Sequence, residues 1–182
     1  RCNRHLEELS CSGNRLTELN IRENTELTEL ECMGNELTSL DVSANTALTK
    51  LACPYNRLTE LDLQRNKDLQ TLWCGGNFMT TLDVSANPKL ETIDCSDNNL
   101  RGPGMEAFIR SLHPCPSAEA GELMIIDTSA NTTDKNICTQ NQVNTARAKN
   151  WAVYAYNGES EEEYRGVNTG KYSGQSKEEY RN

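Results

Sequence analysis

Cys11, Cys32, Cys53, Cys74 and Cys95 follow one another at intervals of 21 residues, and the same interval governs most residues between them. A fixed period of this length constrains the fold more than any local pattern, because it demands a stack of equivalent coils. Written in rows of 21, the chain aligns Leu6, Leu27, Leu48, Leu69 and Leu90 in one column. Leu9, Leu30, Leu51, Leu72 and Ile93 form the next, followed by the cysteines and by Asn14, Asn35, Asn56, Asn77 and Asn98. The second half of each row holds Leu16, Leu37, Leu58, Met79 and Leu100, then Leu19, Leu40, Leu61 and Leu82, then Ile21, Val42, Leu63 and Val84. Asn3, Asn24, Asn45, Asn66 and Asn87 make a second asparagine column.

Each row therefore carries the pattern L-x-x-L-x-Φ-x-x-N twice, in arms of 11 and 10 residues. Apolar residues at period two predict a short strand with one buried face in each arm. The asparagine three residues later falls where the chain turns, and its side chain can bond backbone groups that a bend leaves unpaired. No coil can bury its own leucines. Stacked coils bury them against one another, at about 4.8 Å per coil.

The pattern L-x-x-L-x-C-x-x-N-x-L resembles the leucine-rich-repeat signature, with Cys in place of one core leucine. The rows LTELECMGNELTSLDVSANTA and LTKLACPYNRLTELDLQRNKD resemble the cysteine-ladder repeats of internalin-J-type surface proteins and those of secreted Bacteroidetes leucine-rich-repeat proteins. The resemblance covers residues 2 to about 100; the stretch GELMIIDTSAN…QVNTARAKNWAVYAYNG is similar, more weakly, to the last units of the Bacteroidetes proteins. It implies an α/β fold: a right-handed solenoid with a parallel β-sheet on its concave face. It also implies an extracellular or bacterial cell-surface setting, with any lipoprotein anchor lying in a segment outside this chain, and a role in binding or adhesion rather than catalysis. The first row opens midway, at Cys2–Asn3, so the first coil is expected to be covered by removed upstream residues or by something else.

The period ends at Leu100, where RGPG (101–104) breaks the rhythm. MEAFIRSLH (105–113) predicts a short amphipathic helix with Met105, Phe108, Ile109 and Leu112 on one face. A strand over 122–128, a helix over 139–150 with Thr139 as N-cap, and a strand over 151–157 follow. Residues 1–100 thus read as the solenoid, 101–157 as a βα cap that extends and closes the sheet, and 158–182 as an acidic, flexible tail.

Charge narrows the function. With 18 Lys+Arg against 27 Asp+Glu the chain carries −9, which argues against nucleic acid or an anionic membrane as the main partner. No apolar run approaches the length of a membrane span. Two histidines exclude a histidine-rich metal site, and no close cysteine pair of the C-x-x-C kind exists to hold zinc, so no cofactor is expected. The ladder cysteines read as buried small hydrophobes, since in-register side chains point the same way rather than at each other. In the secreted setting that the resemblance implies, Cys115 and Cys138 are expected to form a disulfide closing a loop of about 24 residues. Cys2 has no partner in that scheme.

His113 and Cys115 lie close in HPCP, but nothing supplies an orienting third group, and the chain is not expected to be an enzyme. The column Asn20, Asp41, Asp62, Asp83 stacks carboxylates that repel unless hydrogen-bonded or bridged by a cation such as calcium, and the neighbouring Thr17, Thr38, Thr59 and Thr80 offer donors.

Residues flanking the inward Leu and Cys point outward from the strands and differ from row to row. Among them Trp73 sits in a stripe with Glu31, Met33, Ala52, Tyr55 and Asp94. A varied face on rigid strands suits recognition, and an aromatic beside small residues suits an anchor. The alternative for Trp73 is plain packing onto Tyr55, Met33 or the cap. The expected ligand is an extracellular protein; the other possibility is a glycan stacked on Trp73 and Tyr55.

Overall fold

The computed structural model describes residues 3–129, 132–157 and 160–166. Five three-residue strands recur at the predicted interval: β1 (Glu8–Ser10), β2 (Glu29–Glu31), β3 (Lys50–Ala52), β4 (Thr71–Trp73) and β5 (Thr92–Asp94). They pair in parallel and in strict register, so that Leu9, Leu30, Leu51, Leu72 and Ile93 lie side by side. Helix α1 (Pro103–Ser111), β6 (Gly121–Asp127), α2 (Gln140–Arg147) and β7 (Trp151–Tyr156) continue the sheet, and β8 (Glu161–Glu163) adds an antiparallel edge. The result is one eight-stranded sheet in sequence order.

The inward columns are buried as expected from the second row onward, including Leu30, Leu51, Leu72 and Cys32, Cys53, Cys74 and Cys95. In the first row Leu6, Leu9, Cys11, Leu16 and Leu19 are only partly covered. The asparagines stitch the coils together. Asn56 Nδ2 donates to the carbonyls of Cys32 (2.9 Å) and Cys53 (3.1 Å), while its Oδ1 accepts from Leu37 N–H (3.1 Å). Each such side chain satisfies backbone groups of its own coil and of the one before it.

The second arm differs from expectation: it is buried but forms no strand. Its carbonyls are met by side chains and by single backbone N–H groups instead of a ladder: Asn45 Nδ2 donates to Ile21 O (3.0 Å) and Asn24 O (2.8 Å), and Arg57 N–H donates to Leu37 O (2.8 Å). The aspartate column closes turns. Asp41, Asp62 and Asp83 accept the backbone N–H of Ser43, Gln64 and Ser85, so the donors lie two residues downstream and not in the threonine column.

The cap holds the elements read from sequence, with α1 beginning two residues earlier because Pro103 fits a first helical turn. A capping box joins Thr139 and Gln142 at the start of α2. Gly104 is obligatory, since a Cβ there would collide with the Thr80 carbonyl. The sheet runs past residue 157: β8 and the buried Tyr164 lie within the stretch assigned to a flexible tail. Over residues 160–166 the structure differs from that assignment because the apolar contribution comes from a single tyrosine, which a composition argument overlooks. The tail from residue 167, and Cys2, lie outside the described residues.

The expected Cys115–Cys138 disulfide is absent; both are buried free thiols. Cys115 N–H bonds Lys149 O (2.8 Å) beyond the C-terminus of α2, whereas Cys138 precedes the N-cap of the same helix. A helix of this length spans about 12 Å, well beyond the ~7 Å Cα separation a disulfide tolerates.

Candidate binding face

Because side chains alternate along a strand, burying the central residue of each triplet turns both neighbours outward. One outward row runs Ser10, Glu31, Ala52, Trp73, Asp94, Met124, Tyr154 across adjacent strands. The row beside it runs Glu8, Glu29, Lys50, Thr71, Thr92, Glu122, Ala152.

Trp73 is neither a free anchor nor wholly packed away. It retains 39% exposure, and the Lys50 ammonium lies 5.2 Å from its ring centroid. Lys50 Nζ also bonds Glu31 Oε1 at 2.6 Å and approaches Glu29 at 3.8 Å. The ammonium holds the Glu31 carboxyl below the usual carboxylate range. Ala52, expected on the exposed stripe, is only 3% exposed. A methyl group standing between Glu31 and the indole on the neighbouring strands is too short to reach past them. Met33 is exposed but belongs to the β2 coil, two strand spacings, about 10 Å, from the coil of Trp73.

Tyr55 belongs to a different arrangement, just past the strand ends. Gly13, Gly34, Tyr55, Gly76 and Asp97 form a column in which every residue has positive φ, at 70°, 65°, 54°, 63° and 50°. Glycine adopts this conformation freely, whereas a tyrosine there carries strain. The ring lies over Gly76 and stays 62% exposed. Burial, together with the charges of Asp94, Asp127 and Asp97, pushes the phenol above its ordinary pKa.

Asp94 sits against Gly75 and accepts from Ser96 N–H (3.0 Å) and Oγ–H (2.7 Å). Burial raises its pKa despite those bonds. Next to it, Asp134 Oδ2 accepts N–H bonds from Asp97 (2.7 Å) and Asp127 (2.6 Å), and its Oδ1 accepts from Asn136 N–H (2.7 Å). Burial dominates those three donors and pushes Asp134 up to about 6. Asp97, Asp127, Asp134 and the exposed Tyr156 escaped the sequence reading. Asp97 was legible as the second non-glycine in the positive-φ column; the others come from the cap, where no repeat reveals their position.

His113 Nε2 contacts the Ser85 carbonyl at 2.7 Å, and His5 pairs with Glu26. Among the described residues no group of three or more His, Cys, Asp or Glu side chains is placed to hold a metal ion. No helix there is long and apolar enough to cross a membrane.

A leucine-rich-repeat family profile matches residues 86–108. No curated protein matches the chain by sequence. Among solved structures, the functional domain of InlJ from Listeria monocytogenes, which includes a cysteine ladder, is 29% identical. The match covers 81% of this chain and 34% of that one, with a TM-score of 0.50. A leucine-rich-repeat protein of Leptospira interrogans is 27% identical over 57% of this chain and 28% of that one, with a TM-score of 0.53. An internalin, InlF, from Listeria monocytogenes shares the fold at 21% identity, over 64% of this chain and 36% of that one, with a TM-score of 0.53. The chain thus spans about a third of the length of the solved structures it matches. With its parallel sheet in register, its buried leucine and cysteine columns and these likenesses, the chain has the leucine-rich-repeat solenoid fold.

Proposed function

We propose that the chain is a non-catalytic protein-binding module that works in an extracellular or cell-surface setting and recognises its partner on the outward, concave face of the sheet. One observation carries the reading. Five strands in strict register repeat their inward residue, whereas their outward positions read Glu8, Glu29, Lys50, Thr71, Thr92 and Ser10, Glu31, Ala52, Trp73, Asp94. Repetition inside and variety outside is the division a recognition scaffold needs, and solenoids offer such extended surfaces to partners. The setting rests on the likeness to internalins. Trp73, Tyr55, Met33, Glu31 and Asp94 are the contact residues of this reading, with Ala52 serving as the floor beneath Trp73.

A glycan ligand is the second reading. It is favoured by the open ring of Tyr55, 62% exposed beside carboxylates able to accept sugar hydroxyls. The two separate in one experiment: screening the purified chain in parallel against a glycan array and a display library of extracellular proteins. Binding to a protein that Trp73→Ala weakens at least tenfold, with thermal unfolding unchanged, supports the first reading. A sugar signal lost in Trp73→Ala or Tyr55→Ala supports the second. A partner indifferent to every substitution on this face overturns both.

A further inference from the structure

The outward face divides into two parts with different charge balance. Around β2 and β3 the carboxylates meet an ammonium, since Lys50 bonds Glu31, lies 3.8 Å from Glu29 and also covers the Trp73 ring. Toward the cap they are unmatched. Asp94, Asp97, Asp127 and Asp134 enter no ion pair among the described residues; they take only N–H and hydroxyl donors. Asp97 and Asp127 each engage Oδ1, with Thr133 Oγ1 (2.9 Å) and Ser129 N–H (2.7 Å) respectively, and their Oδ2 atoms have no partner there. Tyr156, exposed, is the register partner of Asp127; the exposed Tyr55 ring lies over Gly76 in the column that continues to Asp97, and Asp134 Oδ2 ties the Asp97 and Asp127 backbones together.

We propose that this ridge, Tyr55 with Asp97 and Asp127, is where a basic segment of the protein partner docks, an arginine or lysine side chain lying on the Tyr55 ring with its charge met by the two carboxylates. The proposal rests on the protein-binding reading above and adds Tyr55, beside Trp73, as the anchor for a cationic side chain.

Charge complementarity selects the occupant. A guanidinium gains from an aromatic face and from carboxylate oxygens at once, and its fork can engage two acceptors. A second copy of this chain carries the same charge of −9 and is disfavoured, as is any polyanion. The Trp73 ring is less available to such a side chain, because Lys50 already lies over it. The chain also keeps a tyrosine at φ +54° in a column that glycine fills at three of five places. Backbone strain retained at an exposed residue that stabilises no core is of the kind found at binding sites.

The test titrates the folded protein with fluorescein-labelled hexa-arginine at low salt, read by anisotropy, with hexa-glutamate as the negative probe. Asp97→Asn removes the charge in a residue type that tolerates positive φ, and Tyr55→Gly removes the ring in the residue the column prefers, so both keep the fold. Each is expected to weaken hexa-arginine binding at least tenfold. Asp62→Asn, which removes the same charge from the opposite arm, is expected to change it less than twofold. Absence of hexa-arginine binding, an unchanged affinity in Tyr55→Gly, or equal losses in Asp62→Asn and Asp97→Asn overturns the proposal. Loss in Trp73→Ala alone also overturns it, while leaving the sheet face itself as the binding surface.

Discussion

The ring of Tyr55 occupies the space that a side chain on Gly76 would need: a Cβ there would come within 2.5 Å of Tyr55 Cδ1. The two residues are 21 apart, equivalent in adjacent coils, and both have positive φ. A tyrosine in one row is thus accommodated by a glycine in the next. The pairing leaves one aromatic side chain raised on an otherwise low ridge.

Tyr55→Gly should leave stability within about 1 kcal/mol of the parent. Relief of the left-handed backbone, worth roughly 1–2 kcal/mol, offsets the extra unfolded-state freedom of glycine and the modest burial lost. Gly76→Ala should destabilise by more, because the Tyr55 ring and the positive φ both oppose a methyl group. Urea unfolding of both variants checks the order; the reverse order refutes the packing.

Asn56→Ala should cost at least about 2 kcal/mol, since it strips partners from Leu37 N–H and from the Cys32 and Cys53 carbonyls inside the stack. Leu51→Ala should cost about 2–5 kcal/mol through the cavity it opens between coils. Thr59→Ala, at an exposed position, should stay within about ±0.5 kcal/mol. Denaturant midpoints for the three variants test the assignment of inside and outside.

Cys32, Cys53, Cys74 and Cys95 should resist alkylation by iodoacetamide in the folded protein and react fully once it is unfolded. They are fully buried, and burial lifts Cys32 to about 12 and the other three well above their ordinary value, so almost no thiolate forms near neutral pH. Peptide mapping by mass spectrometry reads each site separately. Rapid labelling of Cys53 under native conditions would contradict the stacked arrangement.

Asp134 should titrate near pH 6 in a carbon-detected NMR experiment, and Asp41, bonded to Ser43 and Arg22, near 2. The folded-state value of Asp134 lies above the unfolded value of about 3.9. Its contribution to stability is therefore fully present below about pH 4 and is lost as pH rises through 6. Asp41 has the opposite sign: its contribution is present above about pH 4 and disappears toward pH 2. A midpoint for Asp134 at or below 4 would show that its three N–H donors outweigh burial.

The repeat alone determined which residues face inward. Stacked coils share one register, and a strand must alternate its side chains, so the columns headed by Leu51, Cys53 and Asn56 were legible as core and stitching before any fold was known. The cap elements were legible as well, from the apolar face of α1 and the capping residues of α2. What became of the outward side chains was not legible, because it depends on partners that local patterns do not link. Ala52 is buried between Glu31 and Trp73 on the strands either side of it. Lys50 is drawn over an indole 23 residues away. Asp134 reaches back from the cap to the backbone of Asp97. Cys115 and Cys138, placed together by sequence, are held apart by the length of α2. Periodicity fixes the direction in which a side chain leaves the backbone; only the stacked coils and the cap decide what meets it there.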